Sequence, residues 1–538
     1  MANPRRLLLS SRRIIDGTGS PAFAGTVEVD GGLIAAVHRG RRGPVPDGAD
    51  GADGAEVIDL GDLVLAPGFV DLHTHSDVSM LSDPGCISAV VQGVTTQVVG
   101  HCGFSAGPVD DVTKTRMMQE EPVFGFPNVA WNWASTADYL DAVDHAAVAT
   151  NTMTLVGHNT VRRLVMGSVA RPATSAERST MVAHLQAALA DGAAGVSTGL
   201  SYAPGVFADT DELVAIARTA ASAGRRYHTH MRYGELSVRQ SLAEAIATAR
   251  GADAALNVSH LYPYVTDPAD EAARMLEMIE DARDGGLDVT FDLTVFPRGG
   301  GAFAQLLPLW AHEGGMTGTV AMIQDPETRP RMVAELVATR TPESWDDALI
   351  VKVNDAANAA LVNRTIGDIA RERGQPPAEC ALDLIVEDGQ FWIAPVIKRQ
   401  DDLDLLLSHP LCVPVTDGMA AHPVLHRDLG VMPKTFGSFP LVLGSYVRER
   451  GVLRLEEAVA KMTSLAAQRA FIADRGRIAA GLAADLVVFD AHKVGNRATE
   501  DDPVAFPAGI VHTVVGGQFA LRDGQLTDLR NGRALRAT

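Results

Sequence analysis

Between residues 67 and 470, short apolar runs alternate with long stretches that carry apolar residues three and four positions apart. That alternation is the pattern of βα units feeding a parallel sheet. Eight runs read as strands, over 68–73, 96–100, 153–158, 195–199, 226–230, 255–260, 289–292 and 412–417. Helices are expected over 174–191, 209–223, 238–250, 268–283 and 454–471. Eight strands with such companions predict a (β/α)8 TIM-like barrel. The two ends differ from this middle. Residues 7–66 read as short strands broken by turns, with a surface loop rich in Gly, Pro and Asp over 39–54, and residues 484–526 return to that style.

Length and charge narrow the partners. At 538 residues the chain has room for several domains or one large barrel with appendages, and 46% hydrophobic residues place it far from disorder. Asp and Glu number 66 against 46 Lys and Arg, a formal charge of -20 that phosphate backbones and anionic lipid repel. Neither nucleic acid nor a membrane is an expected partner, and no run of 18 or more apolar residues occurs. Cys86, Cys102, Cys380 and Cys412 are widely spaced with no CxxC pair, which fits a reducing compartment better than a disulfide framework. Near the first residue the apolar run is three residues long, short for a signal peptide, so a cytoplasmic location is expected. Oligomeric state stays open, with a homo-oligomer allowed.

Chemistry gathers at the expected strand ends. His73, His75, Cys102, His230, His260 and Asp417 each sit at or just past the C-terminal end of a run, the edge on which barrel active sites are built. His73 and His75 are separated by one residue, so on a strand both imidazoles point to one face and can meet one cation. A set of nitrogens and a thiolate favours Zn2+ over Mg2+ or Ca2+. Asp417 would bring a carboxylate to the metal, able to ligate it and to take a proton from water as general base. Ser201 and Ser259 lack a Gly-x-Ser-x-Gly setting, which disfavours a serine hydrolase.

These residues lie in segments that resemble a known family. PGFVDLHTH at 67–75 is similar to the first-strand motif of the metal-dependent amidohydrolase superfamily. GVTTQVVGHCGFS at 93–105, GVSTGLSY at 195–202, THMR at 229–232, LPLWAHEGG at 307–315 and DRGRIAAGLAADLVVFD at 474–490 resemble its N-acyl-D-amino-acid deacylase (D-aminoacylase) branch. The resemblance spans nearly the whole chain. It implies a barrel over 67–471 and a small β-sandwich formed by 1–66 with 472–538. It also implies that Cys102 stands where many amidohydrolases place a carboxylated Lys, and none of the six lysines falls at a strand end between His75 and His230. By the same resemblance Cys102, His230 and His260 hold one tight zinc, while His73, His75 and Asp417 form a second, weaker site.

The expected activity is hydrolysis of a C-N amide bond in a small molecule, an N-acyl-D-amino acid or a related N-acyl compound. The alternatives are a cyclic amide or other acylated substrate on the same fold, and a metal-free scaffold protein. Arg232, Arg298, His228 and Tyr262 are candidate substrate contacts, the arginines as bidentate carboxylate donors. His101 and His158 read as packing or supporting groups, and Trp131, Trp133 and Trp310 as core or acyl-pocket aromatics. The chain departs from the family where substrate binds. Leu261 and Tyr262 follow His260 in place of His-Lys, whose Lys contacts the substrate carboxylate. Asp292 is followed by LTVFP in place of a Tyr-Pro-Tyr element, and a His-Pro-Arg phrase becomes VMPKTFG at 431–437. Loss of that Lys leaves Arg232 or Arg298 as the candidate carboxylate partner; with three substrate-facing elements changed, the expectation preferred over this is that free N-acetyl-D-amino acids are poor substrates.

Overall fold

The computed structural model describes residues 6–40, 54–121, 123–126, 128–233, 236–427 and 430–537. The N-terminal strands are β1 (Leu7–Ile14), β2 (Phe23–Asp30), β3 (Leu33–Arg39), β4 (Glu56–Asp59) and β5 (Val64–Pro67). Of the loop expected over 39–54, residues 41–53 lie outside the described residues. The middle of the chain adds β6 (Phe69–Asp71), β7 (Val94–Val99), β8 (Asn151–Thr154), β9 (Val156–Gly157), β10 (Gly195–Gly199), β11 (Arg226–His230), β12 (Leu256–Val258) and β13 (Val289–Thr294). Three short strands, β14 (Gly301–Ala302), β15 (Ile350–Lys352) and β16 (Trp392–Ile393), precede β17 (Cys412–Val415). The chain ends with β18 (Leu486–Phe489), β19 (Ile510–Val515), β20 (Gln518–Arg522) and β21 (Gln525–Leu526).

The central strands run parallel in two sheets, one ordered β6-β7-β8 and one ordered β17-β13-β12-β11-β10-β9. They are buried on both faces, as β7, β10 and β13 are along their whole length, which is why each appears in the sequence as an unbroken run. Hydrogen bonds lace the two sheets at both margins. Ala194, directly before β10, donates its N-H to Thr154 O on β8 at 2.8 Å, and beyond β17 the N-H of Asp417 reaches His73 O at 2.9 Å. The third expected run, 153–158, is interrupted at Leu155, and His158 opens a helix, His158–Met166.

Helices follow where their first turns can be capped. Thr174 and Glu177 form a capping box at the start of Ser175–Ala190, as Ser237 and Gln240 do for Val238–Ala252. Asp209 accepts from Glu212 N before Thr210–Ser222. The expected helix over 454–471 is two, Leu455–Met462 and Ser464–Arg469, broken where Thr463 adopts φ -131 and ψ -90. Among the described residues no helix is long and apolar enough to cross a membrane.

Both chain ends share one nine-stranded sheet, ordered β21-β20-β19-β18-β5-β1-β2-β3 with β4 on β1. β18 and β3 are four strands apart, roughly 19 Å in a flat sheet. Yet Ile34 N donates to Leu482 O at 2.8 Å and Ala484 N to Gly32 O at 2.9 Å, so the sheet coils back on itself. A separate core of Phe303, Trp345, Ile350, Ile385 and Phe391 organises the segment around β14, β15 and β16.

Asp485, one residue before β18, joins the terminal sheet to the parallel strands. Its side chain is 2% exposed, pairs with Arg475, and accepts from Asn151 Nδ2 at 2.9 Å and Gly516 N at 2.7 Å. Asp485→Ala removes the acceptor shared by Arg475, Asn151 Nδ2 and Gly516 N, and the expected loss is about 2 to 4 kcal/mol of unfolding free energy. Urea denaturation measures it; a loss below about 1 kcal/mol would mean that this junction is not cohesive.

Candidate metal centre

The strand ends bring the expected side chains together. His73 and His75 follow β6, Cys102 follows β7, His230 closes β11, His260 follows β12 and Asp417 follows β17. One donor atom from each of His73, His75, Cys102 and Asp417 lies within 4.8 Å of the others, and so does one from each of Cys102, His230 and His260. The Cys102 Sγ is 3.3 Å from His73 Nε2 and 3.5 Å from His260 Nε2. Asp417 Oδ1 lies 3.2 Å from His75 Nε2 and 3.5 Å from His73 Nε2. The thiol thus belongs by distance to both groups.

Local backbone explains the sequence around these positions. Cys102, His260 and Asp417 have φ of 54, 35 and 46 degrees, in the left-handed region, so the chain turns sharply as it leaves each strand. On either side of Cys102, Gly100 and Gly103 share that region at φ 79 and 80. A Cβ on Gly100 would meet Leu155 O at 2.2 Å, and one on Gly103 would meet Asn159 Oδ1 at 2.3 Å. The GHCG string is what that close approach demands.

Charge in the site is unusual for its burial. Burial alone would raise the Cys102 thiol, but His73, His230 and His260 outweigh it and pull it well below its ordinary value. Asp417 behaves alike: burial opposes, while Lys434, His75 and His73 hold it well below the carboxylate range. Lys434 Nζ donates to Asp417 Oδ2 at 2.6 Å, leaving Oδ1 toward the imidazoles. Burial and the neighbouring His260 push His230 down, so it presents a neutral nitrogen. Two buried anions among imidazole donors form a set suited to a divalent cation, and sulfur with nitrogen suits zinc.

Asp292 on β13, used in the sequence only as a landmark, braces this cluster. Its Oδ1 takes the N-H of His260 at 2.7 Å and lies 3.2 Å from His73 Nδ1, while Oδ2 accepts from Asn257 Nδ2 at 2.7 Å. Its signal was its place on the central strand that precedes β17, near the same edge as the candidate ligands.

Above the cluster opens a cavity of about 970 Å³ lined by His75, Cys102, His230, His260 and Asp417. Tyr262, a candidate substrate contact, lines it, stacked on Tyr233 with ring centroids 5.3 Å apart. The other expected substrate contacts lie elsewhere. Arg232 binds Glu244 at 3.2 Å and the carbonyl oxygens of Val206 and Ala208, and Arg298 binds Asp347 at 3.0 Å and Ala394 O at 2.8 Å. Neither guanidinium is on the cavity lining. His228 is buried edge-on to His101, centroids 5.2 Å apart, and burial with nearby Arg226 lowers it to about 3. His101 stacks on His73 at 4.0 Å, and His158 binds Glu212 at 2.8 Å. Trp131, Trp133 and Trp310 do not line the cavity. The cations on its wall are instead Lys352, Lys398, Lys434 and Arg340, so losing the Lys after His260 does not leave the cavity without positive charge.

Comparison with known proteins identifies the family. A model of the amidohydrolase family matches residues 56–520. N-acyl-D-glutamate deacylase of Alcaligenes xylosoxydans xylosoxydans is 32% identical over 95% of this chain and 92% of its own. D-aminoacylase of the same organism is 30% identical over 100% of this chain and 99% of its own. The crystal structure of N-acyl-D-glutamate deacylase from Bordetella bronchiseptica, complexed with zinc and a phosphonate inhibitor, superposes with a TM-score of 0.82 at 30% identity, covering 99% of this chain and 100% of that one.

Because Asp292 orients two imidazole-bearing residues, Asp292→Asn should weaken zinc binding by roughly 10- to 100-fold. Competition with a chelator measures this; unchanged affinity would remove Asp292 from the support of the site.

Proposed function

This chain belongs to the amidohydrolase family, and on that premise we propose that it is a zinc-dependent deacylase cleaving the amide bond of an N-acyl-D-amino acid or a related N-acyl compound. The observation that carries this function is Cys102, whose sulfur lies between two imidazole groups and near the Asp417 carboxylate on the wall of a large cavity. The relatives named above, each a deacylase or aminoacylase over almost the full chain, support the same chemistry.

We assign the eight parallel strands to one (β/α)8 barrel over 67–471, with β8 and β9 as one interrupted strand, and residues 1–66 and 472–538 to a β-sandwich. The hydrogen bonds at both sheet margins and the coiling of the terminal sheet support that division. Cys102, His230 and His260 would hold the tight zinc, and His73, His75 and Asp417 a weaker second ion. Zinc supplies Lewis acidity, lowering the pKa of the attacking water toward ~7 and polarising the acyl carbonyl.

The chain's own groups do the rest. Asp417 takes the water proton and delivers it to the leaving nitrogen, so that the amine departs neutral. Lys434 fixes that carboxylate through Oδ2, and Asp292 fixes the face His73 presents. The cavity walls receive a small-molecule amide. The four cysteines are all unpaired and buried, and the proposed thiolate ligand works in a reducing cytoplasm.

Cys102→Ala should abolish tight zinc binding and activity together; a variant with full metal content and full rate would remove Cys102 from the ligand set. Asp417→Asn should lower kcat at least ~10²-fold while the tight zinc stays, as loss of a general base requires. The substrate class is tested by assaying metal-loaded enzyme on N-acyl-D-amino acids, their L-enantiomers and cyclic amides. Hydrolysis confined to cyclic amides would overturn the deacylase assignment.

A further inference from the structure

An N-acyl amino acid carries a carboxylate three bonds from its acyl carbon, so the cation that receives it must border the metal ligands. A carboxylate moved out of water without such a partner is strongly disfavoured. Among the described residues, four Lys and Arg side chains line the cavity. Lys434 is engaged with Asp417 at 2.6 Å. Lys352 feels the charge of Asp388, and Arg340 lies over the rings of Phe303 and Trp345, both in the separate core around β14 to β16.

Lys398 is different. It is 2% exposed, and its ammonium donates to Thr294 Oγ1 at 2.6 Å and Phe296 O at 3.0 Å, both neutral acceptors. An ammonium has three N-H groups, so one remains. Among the described residues no carboxylate forms an ion pair with it. Burial and the nearby charge of Lys434 lower it to about 7 against a smaller opposing pull from Asp417, so a substrate carboxylate arriving beside it would favour the charged ammonium.

Its position also fits. Thr294, which holds it, is two residues past Asp292 on β13. The ammonium lies 5.0 Å from the centre of the Tyr262 ring, and Tyr262 stacks on Tyr233. The Tyr233 ring is in turn 5.5 Å from His230 and 6.2 Å from His260. Lys398 therefore stands beside the aromatic wall that adjoins the proposed ligands.

Building on the deacylase assignment, we propose that Lys398 receives the carboxylate of the substrate and makes the enzyme selective for free N-acyl amino acids over their uncharged amides. The group that a sequence comparison seeks directly after His260 would here reach the pocket from the connection between β16 and β17. Such an enzyme acts on acylated free amino acids and discriminates against an acylated residue inside a peptide, whose carboxyl is an amide.

Two variants test this. Lys398→Met removes charge and hydrogen bonding, and Lys398→Gln keeps a donor for Thr294 or Phe296 while removing the charge. Zinc-loaded wild type and both variants are assayed on N-acetyl-D-amino acids and on the matching α-carboxamides. The expected result is that the acid-over-amide ratio of kcat/KM falls roughly 10- to 100-fold in both variants, chiefly through KM for the acid, as loss of a charge-assisted hydrogen bond predicts. An unchanged ratio in a variant that still hydrolyses the acid would overturn the role of Lys398 and leave the deacylase assignment standing. If wild type hydrolyses none of the acids, the deacylase assignment falls, and calorimetric titration with the same acids decides the binding role. Acid binding weakened in Lys398→Gln supports it, and equal or absent binding in wild type and variant overturns it.

Discussion

The buried carboxylate of Asp292 is the interaction on which the rest of the site depends. It lies on β13, takes the backbone N-H of His260 beyond β12, and pairs with His73 beyond β6. Burial would raise it, yet His73 and His260 outweigh that and keep it below the ordinary carboxylate range. A fixed anion at His73 Nδ1 selects the tautomer that carries hydrogen there and leaves Nε2 as a donor atom. That Nε2 is the atom 3.3 Å from the Cys102 sulfur. One carboxylate thus aligns three strand ends and determines what the cluster presents to a cation.

The central strands were legible because each is a short run, with few charged residues, set between long stretches of helical spacing, even where Thr, Ser or His interrupts the apolar residues. The proposed ligands were legible for the same reason, since each lies within a few residues of the end of such a run. The break at Thr463 was not, because apolar spacing continues through it on both sides. Nor were β14 to β16 legible, since two or three residues cannot display a period. Their core depends on residues some ninety positions apart, such as Phe303 and Phe391, which stack with centroids 5.1 Å apart.

Cations were the hardest feature to read. Arg232 and Arg298 have the chemistry of carboxylate receptors, but a sequence displays a donor without its acceptor. Both guanidinium groups face Glu, Asp and carbonyl oxygens of the protein, as an excess of acidic residues makes frequent. Lys398 shows the converse: followed by Arg399, Gln400, Asp401 and Asp402, it reads along the chain as one more surface charge, and its meaning comes from lying against Thr294 and Tyr262, over a hundred residues away.

Left-handed backbone at Cys102, His260 and Asp417 costs about 1 to 2 kcal/mol at each position, and each needs outside support. Asp417 has its bond to His73 O, and His260 has its bond to Asp292. Phenols supply more: Tyr202 donates to Cys102 O at 2.7 Å and Tyr233 to His260 O at 3.4 Å. The rings that line the cavity therefore also hold the proposed ligands in place, and a change to this aromatic wall would be felt at the metal. Lys398 makes no such bond. Arriving on the connection between β16 and β17 and bonded to Thr294 and Phe296, it touches none of the proposed ligands, so the proposed carboxylate receptor and the metal centre are built from separate groups.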